Sequence, residues 1–506
     1  MLGRTADLSL PAGQPGVREP ENRSKRGRRG SDKTTCGGRG QQFRDSRWGR
    51  RDALPHPWAG PKKKMRWNPS IVIYCGVLGS QNENSGRNRY PGMLTNVQEA
   101  GTKTASLSQN SAAPLTHDSR GGLVPPRRNF EGSVRIKALM LGYYGACNLG
   151  DELMLYCLRR WLEAQGVTLS VLSENPDDVQ RRHNLPAILN VPLLGKWGWY
   201  HAWFRGAAWK LLRQFRSFDL LVGGGGDCIR DDCGHAQFWF SVEKYILALL
   251  LRKRICMLNV GLGRLRYGYA RRVLSWILKR SSMTVVRDRR SVEVCRSLGI
   301  THVHYAPDIV ATLPKQLGLD NSQPPQICRD SRPYALVCLR DGADAYGRYV
   351  LSGTRLEELA RALDHLVSRY DLDVKFMPFQ SYPGGIDDNR VHHDVTSRMS
   401  HRDRAHVFDW NDDLSTISRH FTNARCVVAM RLHAAILATA FRRPCTLMPY
   451  DQKLVEFGDQ VGIHDRIEAA LLDCHDAAVT VLDSCMGGHE TSAPESPPDS
   501  WETLRL

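Results

Sequence analysis

The feature that most constrains this chain is a regular alternation of short apolar runs and amphipathic stretches that begins at Arg135. Residues 136–141 form an apolar run typical of a buried strand, and the next segment carries apolar side chains at helical spacing up to Gly166. Residues 167–172 form the following apolar run. The right-handed crossover expected for this strand–helix–strand unit makes its two strands parallel, so the sequence predicts an α/β fold.

The alternation continues in two runs. The strands predicted in the first run are Ile136–Leu141, Val167–Leu172, Phe218–Val222, Arg254–Val260, Met283–Val286 and Thr301–Ala306. Those predicted in the second are Tyr334–Leu339, Asp373–Pro378, Arg425–Met430 and Cys445–Met448. Helices are predicted at Phe238–Arg252, Tyr267–Arg280, Arg355–Arg369, Asp413–Phe421, Ala434–Phe441 and Lys453–Val461.

Composition divides the chain into five segments. Residues 1–133 are rich in Gly, Arg, Ser, Asn and Pro and show no sustained period, so we expect a disordered leader. Two strand–helix domains follow at 134–320 and 333–482, joined by a proline-rich linker at 321–332. Residues 483–506 are again rich in Gly, Ser and Pro and are predicted to be a disordered tail. Two such domains favour an enzyme with its site in the cleft between them.

Most of the positive charge lies in the leader. The formal net charge is +18, and roughly 23 basic against 9 acidic residues fall in positions 1–130, so about +14 belongs to the leader. The body is therefore nearly balanced, and we expect no specific nucleic-acid partner. A nucleic-acid-binding arm in the leader is an alternative, which predicts steeply salt-dependent DNA binding.

Cysteine usage and hydropathy indicate the compartment. The fourteen cysteines are scattered without CxxC pairs, which indicates no zinc site and favours a reducing compartment, the cytoplasm. We expect no signal segment, and the longest apolar runs, such as Tyr245–Leu251, are too short to span a membrane. The basic segments Arg252–Arg254 and Arg271–Arg280 are compatible with peripheral contact at the inner face of a membrane, but solvated helix faces explain them equally well and are the favoured interpretation.

Two glycine-rich loops follow predicted strands. The loop 142–150 ends at Asp151 and Glu152, and it reads either as an anion site at a helix N-terminus or as a self-capped turn. Its glycine spacing does not suit a dinucleotide. The run 223–226, followed by Asp227, favours a rim of the cleft, with close helix packing as the alternative.

Charged residues also stand at strand ends. Arg287 and Asp288 follow one strand, and either contact substrate or form a salt bridge that anchors the next helix; Asp308 is equally ambiguous. The sharpest signal is Arg431 with His433, between the strand Arg425–Met430 and the next helix. An arginine can hold a carboxylate or phosphate bidentately, and a histidine can exchange protons near neutrality.

These motifs, taken in order, resemble the polysaccharide pyruvyl transferase family. The N-terminal matches are Gly142-Tyr143-Tyr144-Gly145, Asn148, Gly150-Asp151-Glu152, the run Gly223–Gly226 and Thr284–Ser291. Ala306-Pro307-Asp308 follows, with Pro and Asp in the opposite order to the family pattern. The C-terminal matches are Met430-Arg431-Leu432-His433-Ala434, Pro444, Tyr450-Asp451-Gln452-Lys453, Phe457 and Gly462. The resemblance spans roughly residues 136–465, and its specificity lies in the order of the motifs.

The resemblance implies two Rossmann-like domains in a glycosyltransferase-B-like arrangement, the N-terminal one for the acceptor and the C-terminal one for the donor. It also implies transfer of pyruvate from phosphoenolpyruvate onto a sugar as a cyclic ketal, in surface polysaccharide or exopolysaccharide biosynthesis. No cofactor or metal is implied, since phosphoenolpyruvate is a substrate. The acceptor would be a sugar, a polysaccharide or a lipid-linked oligosaccharide.

The resemblance also suggests roles for individual residues. His433 would be the general acid, acting with Arg431. The donor would be held by Arg287, Arg340, Arg431 and Leu432, and the acceptor would face Gly145, Asn148, Asp151, Gly224, Gly225 and Asp227. Two alternatives stay open: a glycosyltransferase that consumes a nucleotide sugar, and a non-catalytic glycan-binding relative.

Overall fold

The computed structural model describes residues 135–193, 199–226, 229–232, 234–263, 265–319, 332–342, 351–382, 385–411, 413–487 and 500–506. The predicted leader, most of the predicted linker and Asp227 lie outside these residues.

The N-terminal half is built on a parallel sheet. Its strands are β1 (Ile136–Tyr144), β2 (Val167–Ser173), β3 (Ala187–Leu189), β4 (Leu220–Gly224), β5 (Arg254–Val260), β6 (Met283–Val286) and β7 (His304–Tyr305). They lie in the order β3-β2-β1-β4-β5-β6-β7, and every pairing is parallel. The sequence direction reverses between β1 and β4, so the carboxyl ends of these two central strands open a crevice, the usual ligand position in such sheets.

Helices cover both faces of this sheet because its central strands are apolar on both sides. They are α1 (Leu149–Glu163), α2 (Pro176–His183), α3 (Trp199–Phe204), α4 (Ala207–Ser217), α5 (His235–Leu250), α6 (Gly268–Leu278), α7 (Arg289–Ser297) and the short α8 (Leu313–Gln316). Buried side chains of α1 belong to one apolar cluster, whereas those of α4, α5 and α6 belong to another. These two clusters place α1 apart from the layer formed by α4, α5 and α6.

The C-terminal half repeats the plan on a smaller parallel sheet. Its strands are β8 (Tyr334–Cys338), β9 (Asp373–Phe376), β10 (Ala405–Val407), β11 (Cys426–Ala429) and β12 (Cys445–Leu447), in the order β10-β9-β8-β11-β12. Its helices are α9 (Thr354–Tyr370), α10 (Asp388–Thr396), α11 (Leu414–Asn423), α12 (Leu432–Ala440), α13 (Gln452–Val461) and α14 (Ala477–Met486). The α/β class and the two Rossmann-like halves are thus confirmed.

The two strands of the described residues that the sequence prediction missed are short. The edge strands β3 and β10 have three residues each, which is too few for a period to be read. The strand expected at 301–306 shrinks to β7, because only two of its residues pair with β6. None of the helices in the described part of the chain is both long and apolar enough to cross a membrane.

The two halves share a continuous core. One cluster of buried side chains includes Leu149 and Ile309 from the N-terminal half and Phe379 and Ala434 from the C-terminal half. Backbone hydrogen bonds join the halves beside it, with Leu149 N donating to the carbonyl of Phe379 at 2.8 Å. The loop before α1 is thereby held against the segment after β9.

The end of the chain differs from the predicted tail. Helix α14 extends past residue 483, and residues 500–506 pack back onto the N-terminal half. Trp501 is buried, its indole N–H donates to the carbonyl of Pro307 at 2.8 Å, and its ring meets that of Trp161 edge-on at 5.4 Å. Residues 500–506 of the predicted tail therefore pack against the N-terminal half through one large aromatic anchor.

Candidate active site

Polar side chains from both halves meet where strands end. Asp151 enters from the start of α1, Asn259 from the end of β5, and Arg287 from the end of β6. Asp308 follows β7, and His433 lies on the first turn of α12. The carboxyl ends of parallel strands share one edge of a sheet, so residues far apart in sequence converge here.

The loop 142–150 is a self-capped turn. Asn148 is the N-cap of α1, and its side-chain oxygen accepts a hydrogen bond from Gly150 N at 3.1 Å. Glu152 accepts from Gly145 N at 2.9 Å and lies 2.6 Å from His183 Nε2. Gly145 has φ +75°, a conformation that favours glycine. The polar groups of this loop thus satisfy one another, which is the structural alternative that the sequence left open.

His433 lies across the junction between the halves. Its imidazole packs so closely on Gly150 that a Cβ at that position would overlap the ring. On its other side, Nε2 lies 3.8 Å from Oδ2 of Asp308. The predicted catalytic histidine therefore has a carboxylate of the N-terminal half beside it.

Asp308 is a buried carboxylate surrounded by donors. Its Oδ2 accepts from Arg287 Nη1 at 2.8 Å, and its Oδ1 accepts from Asn259 Nδ2 at 3.3 Å and from Val310 N at 3.1 Å. Burial alone would raise the pKa of Asp308, but the charges of Arg287 and His433 and these hydrogen bonds hold it below its ordinary value. Asp308 therefore carries a negative charge next to His433 at neutral pH.

Asp151 behaves in the opposite way. Burial, together with the negative charges of Glu152 and Asp308, raises the pKa of its carboxyl to about 8, although Arg287 and Lys453 oppose the shift. Two carboxylates in one site thus have pKa values pushed apart by their surroundings. A pair of this kind can divide proton transfer and charge stabilisation between its members.

Arg431 is held by a buried carboxylate of its own half. Its Nε donates to Oδ2 of Asp388 at 3.0 Å, its Nη2 donates to Oδ1, and its Nη1 donates to Gln380 Oε1 at 3.3 Å. Asp388, at the start of α10, also accepts from the backbone N–H groups of Phe379 and Gln380, both at 3.0 Å. The predicted arginine is thus fixed in a rigid bidentate pair at the edge of the site.

The other predicted donor residues lie close by. The guanidinium of Arg340 stacks on the ring of Tyr450 at 4.4 Å, and Leu432 is the first residue of α12. Burial raises the pKa of the Tyr450 phenol, and the charges of Arg340, Arg431 and Lys453 act against that shift. Three cations therefore lie around the Tyr450 side chain.

The glycine run at the end of β4 is used for packing. A Cβ on Gly225 would approach Met154 Sδ to 2.9 Å, and one on Gly224 would approach the hydroxyl of Tyr144 to the same distance. The Tyr144 hydroxyl donates to the carbonyl of Gly224 at 2.8 Å. Close packing, the less favoured alternative in the sequence, therefore accounts for Gly224 and Gly225, whereas the predicted acceptor residue Asp227 lies outside the described residues.

Sequence reasoning missed three side chains of this region. Asn259 is the last residue but one of the apolar strand β5 and has φ +57°, a backbone state that no neighbouring residue signals. Asp388 and Gln380 come from a polar stretch that resembles a surface loop, yet both are buried. For Asp308 the sequence left open either a substrate contact or a salt bridge, and in the structure its carboxylate pairs with the guanidinium of Arg287.

The sequence profile described as polysaccharide pyruvyl transferase matches residues 148–452. That range includes Asp151, Arg287, Asp308, Arg431 and His433 and covers more than half of the chain. No curated protein sequence is significantly similar to this chain.

Solved structures of sugar-processing enzymes resemble the chain at low identity. UDP-GlcNAc 2-epimerase from Methanocaldococcus jannaschii is 13% identical, with a TM-score of 0.47, over 70% of this chain and 93% of that one. S. aureus MnaA, solved with UDP, is 12% identical, with a TM-score of 0.46, over 71% and 92%. A glycosyltransferase from Rickettsia africae is 10% identical, with a TM-score of 0.40, over 70% and 93%.

Proposed function

The chain belongs to the polysaccharide pyruvyl transferase family, and we propose that it transfers pyruvate from phosphoenolpyruvate onto a sugar as a cyclic ketal. The observation that carries the proposal is the pairing of His433 with ionised Asp308 at the junction of the two halves. A carboxylate 3.8 Å from the imidazole can hold the ring in place and stabilise the charge that it carries during proton transfer, as a general acid requires.

The donor is an enol phosphate with a carboxylate, so its receptors must be cationic or must present N–H groups. We propose that Arg340, Arg431 and the N-terminus of α12 at Leu432 bind it, because guanidinium groups and the N–H groups of a helix N-terminus suit a carboxylate and a phosphate, and the N-cap residue Arg431 makes no side-chain capping hydrogen bond. We propose that Arg287, which donates to Asp308, holds that carboxylate beside His433. Arg431 is positioned for its role by Asp388.

The reaction adds one proton to C3 of the donor and removes two from the acceptor, one from each hydroxyl that joins the ketal. In the first step a sugar hydroxyl attacks C2 of phosphoenolpyruvate while His433 protonates C3, which becomes the methyl group. We propose that Asp151 accepts the hydroxyl proton, since a carboxyl with a pKa of about 8 exchanges protons close to neutral pH. A second hydroxyl then attacks the same carbon, the C–O bond to phosphate breaks, and phosphate leaves with the second proton.

The acceptor would approach from the N-terminal half, beside Asp151 and the loop that contains Gly145 and Asn148. We propose a sugar, a polysaccharide or a lipid-linked oligosaccharide of surface or exopolysaccharide biosynthesis, and a cytoplasmic location for the enzyme. A cofactor is not required by this reaction, because the bond energy comes from the enol phosphate.

The test is phosphate release from phosphoenolpyruvate by the full chain against a panel of sugars and lipid-linked sugars, with the ketal identified by mass spectrometry. His433→Ala should lower turnover by about 10²–10⁴-fold, the usual contribution of a general acid. The matched control is His475→Ala, which removes an exposed histidine of the same half and should leave turnover unchanged. Full activity in His433→Ala would refute the acid assignment, and consumption of a nucleotide sugar without use of phosphoenolpyruvate would indicate a glycosyltransferase instead.

A further inference from the structure

One surface of the N-terminal half exposes large aromatic side chains to solvent. It is formed by α3 and α4, and we call it the α3–α4 surface. Phe204 is 91% exposed, Trp209 is 63% exposed, and Trp199 and Tyr200 are also exposed. Adjacent large apolar groups on a protein surface usually mark a site of interaction with another protein or with a membrane.

The fold holds these aromatic side chains outward. On the inner side of the same helices, Ala208, Leu211 and Phe215 are buried in the core beneath α4. The indole N–H of Trp203 donates to the carbonyl of Leu193 at 2.9 Å, and its ring meets that of Trp209 edge-on at 5.1 Å. Other side chains of these helices therefore fill the core, and Phe204 and Trp209 are left exposed, where a partner can contact them.

The charge of this surface has one sign. Residues 199–218 contain no Asp or Glu. Arg205, Lys210, Arg213 and Arg216 lie in this segment, and all four are exposed. Aromatic rings flanked by long cationic side chains, with no acidic residue among them, suit the headgroup region of an anionic bilayer. There the rings reach the apolar boundary and the cations meet the phosphates.

Helix α6 also carries exposed aromatic and basic side chains. It packs into the same core as α4, and the exposed residues Arg272 and Trp276 lie on it four positions apart, with Arg280 just beyond its last residue. The guanidinium of Arg280 lies 5.1 Å from the centre of the Trp276 ring. The combination of aromatic and basic side chains thus recurs on a second helix of the layer that contains α4.

We propose that the α3–α4 surface docks onto an anionic phospholipid bilayer, with Phe204 and Trp209 among the lipid headgroups and the neighbouring basic side chains at the level of the phosphates. The surface belongs to the half to which we assign the acceptor. Docking itself does not depend on the proposed reaction, so it can be tested separately.

The first test is co-sedimentation of the full chain with vesicles of phosphatidylcholine alone or mixed with phosphatidylglycerol. We expect binding to the mixed vesicles that weakens with salt. Lys210→Gln with Arg213→Gln should weaken it about 30-fold, since each basic side chain near an anionic surface contributes about fivefold. The matched control, Arg398→Gln with Arg419→Gln, removes two exposed charges from the C-terminal half and should change binding little. Equal binding to both vesicle types, or equal effects of the two double variants, would overturn the proposal.

The basic leader could itself bind anionic vesicles, and the second test separates its contribution. Lipids with brominated acyl chains quench the fluorescence of tryptophans that reach the membrane boundary. We expect quenching in the wild-type chain and its loss in Trp199→Phe with Trp209→Phe, which keeps two aromatic rings. Unchanged quenching in that variant would show that other tryptophans meet the lipid, against the proposal.

A second copy of this chain is the competing occupant. Phe204→Ser should weaken vesicle binding about tenfold, in line with burial of one large apolar side chain. It should leave the sedimentation velocity and the phosphate-release activity with a soluble acceptor unchanged. A wild-type dimer that dissociates in Phe204→Ser would identify a protein interface and overturn membrane docking.

Discussion

The buried pair of Arg431 and Asp388 gives the most direct test of how the C-terminal part of the site is held. Asp388 is 0% exposed and the side chain of Arg431 is 11% exposed. Asp388→Asn keeps the shape of the side chain but removes its negative charge. It also turns one acceptor into an NH₂ group that must face the guanidinium or the N–H groups of Phe379 and Gln380.

The expected cost follows from what the substitution leaves behind. Breaking a buried ion pair from one side leaves an uncompensated charge, which costs about 3–5 kcal/mol. A buried N–H that loses its acceptor adds about 1–3 kcal/mol, and local rearrangement offsets part of it. We therefore expect Asp388→Asn to lower the free energy of unfolding by about 4 kcal/mol.

The chain contains a matched control. Arg355 makes the same bidentate contact with Asp473, at 2.6 and 2.7 Å, but the side chain of Asp473 is 49% exposed. Asp473→Asn should have little measurable effect, because water solvates both partners once the pair is broken. The assay is urea unfolding at neutral pH followed by fluorescence. If the two variants lose equal stability, burial does not govern the contribution of Arg431, and the reasoning fails.

Three further predictions concern the site and its support. The folded protein raises the pKa of Asp151 to about 8, so ionisation of this carboxyl destabilises the folded state, and the penalty grows between about pH 4, the ordinary Asp pKa, and pH 8. Asp151→Asn cannot ionise, and its melting temperature should therefore exceed that of the wild type above pH 8 but not at about pH 4. Gly223→Ala should lower the free energy of unfolding by about 1–3 kcal/mol in urea, because its Cβ would overlap the Tyr245 hydroxyl. Gly268→Ala is the matched control and should cost nothing, because a Cβ added at that position would have no neighbouring atom within 4 Å. Trp501→Ala should cost about 3–5 kcal/mol in the same assay, whereas a disordered tail would predict no change.

The sequence was most informative where local pattern and burial coincide. The predicted bounds of β5 and β6 match the structure, because the residues Arg254–Val260 and Met283–Val286 form short, mostly apolar runs, as is typical of a strand buried on both faces of a parallel sheet. The helix after Arg431 was also predicted from periodicity, although it begins two residues earlier than expected. In these segments the local preference and the tertiary environment agree.

Prediction failed where a residue's surroundings come from elsewhere in the chain. Gly224 and Gly225 could line a cleft or allow another side chain to pack closely against the backbone. The side chains that pack there are Tyr144 and Met154, and no local sequence pattern connects them to these glycines. Asp388 lies in a polar stretch of the sequence. It is a buried counter-ion only because the fold places Arg431, 43 residues away in the chain, against its carboxylate. Such contacts are decided by topology, which a single sequence does not display at the level of side chains.

Gly150 shows how closely the fold and the candidate chemistry depend on each other. The residue contributes no polar side chain, yet the ring of His433 occupies the space where its Cβ would lie. The same loop is held to the C-terminal half by the hydrogen bond from Leu149 N to the carbonyl of Phe379. His433 therefore meets Asp308 only when the two halves are packed together, because each half supplies one partner of the pair. A larger residue at 150 would move the imidazole away from its carboxylate without changing any group that transfers a proton, so this glycine acts as a positioning residue of the site.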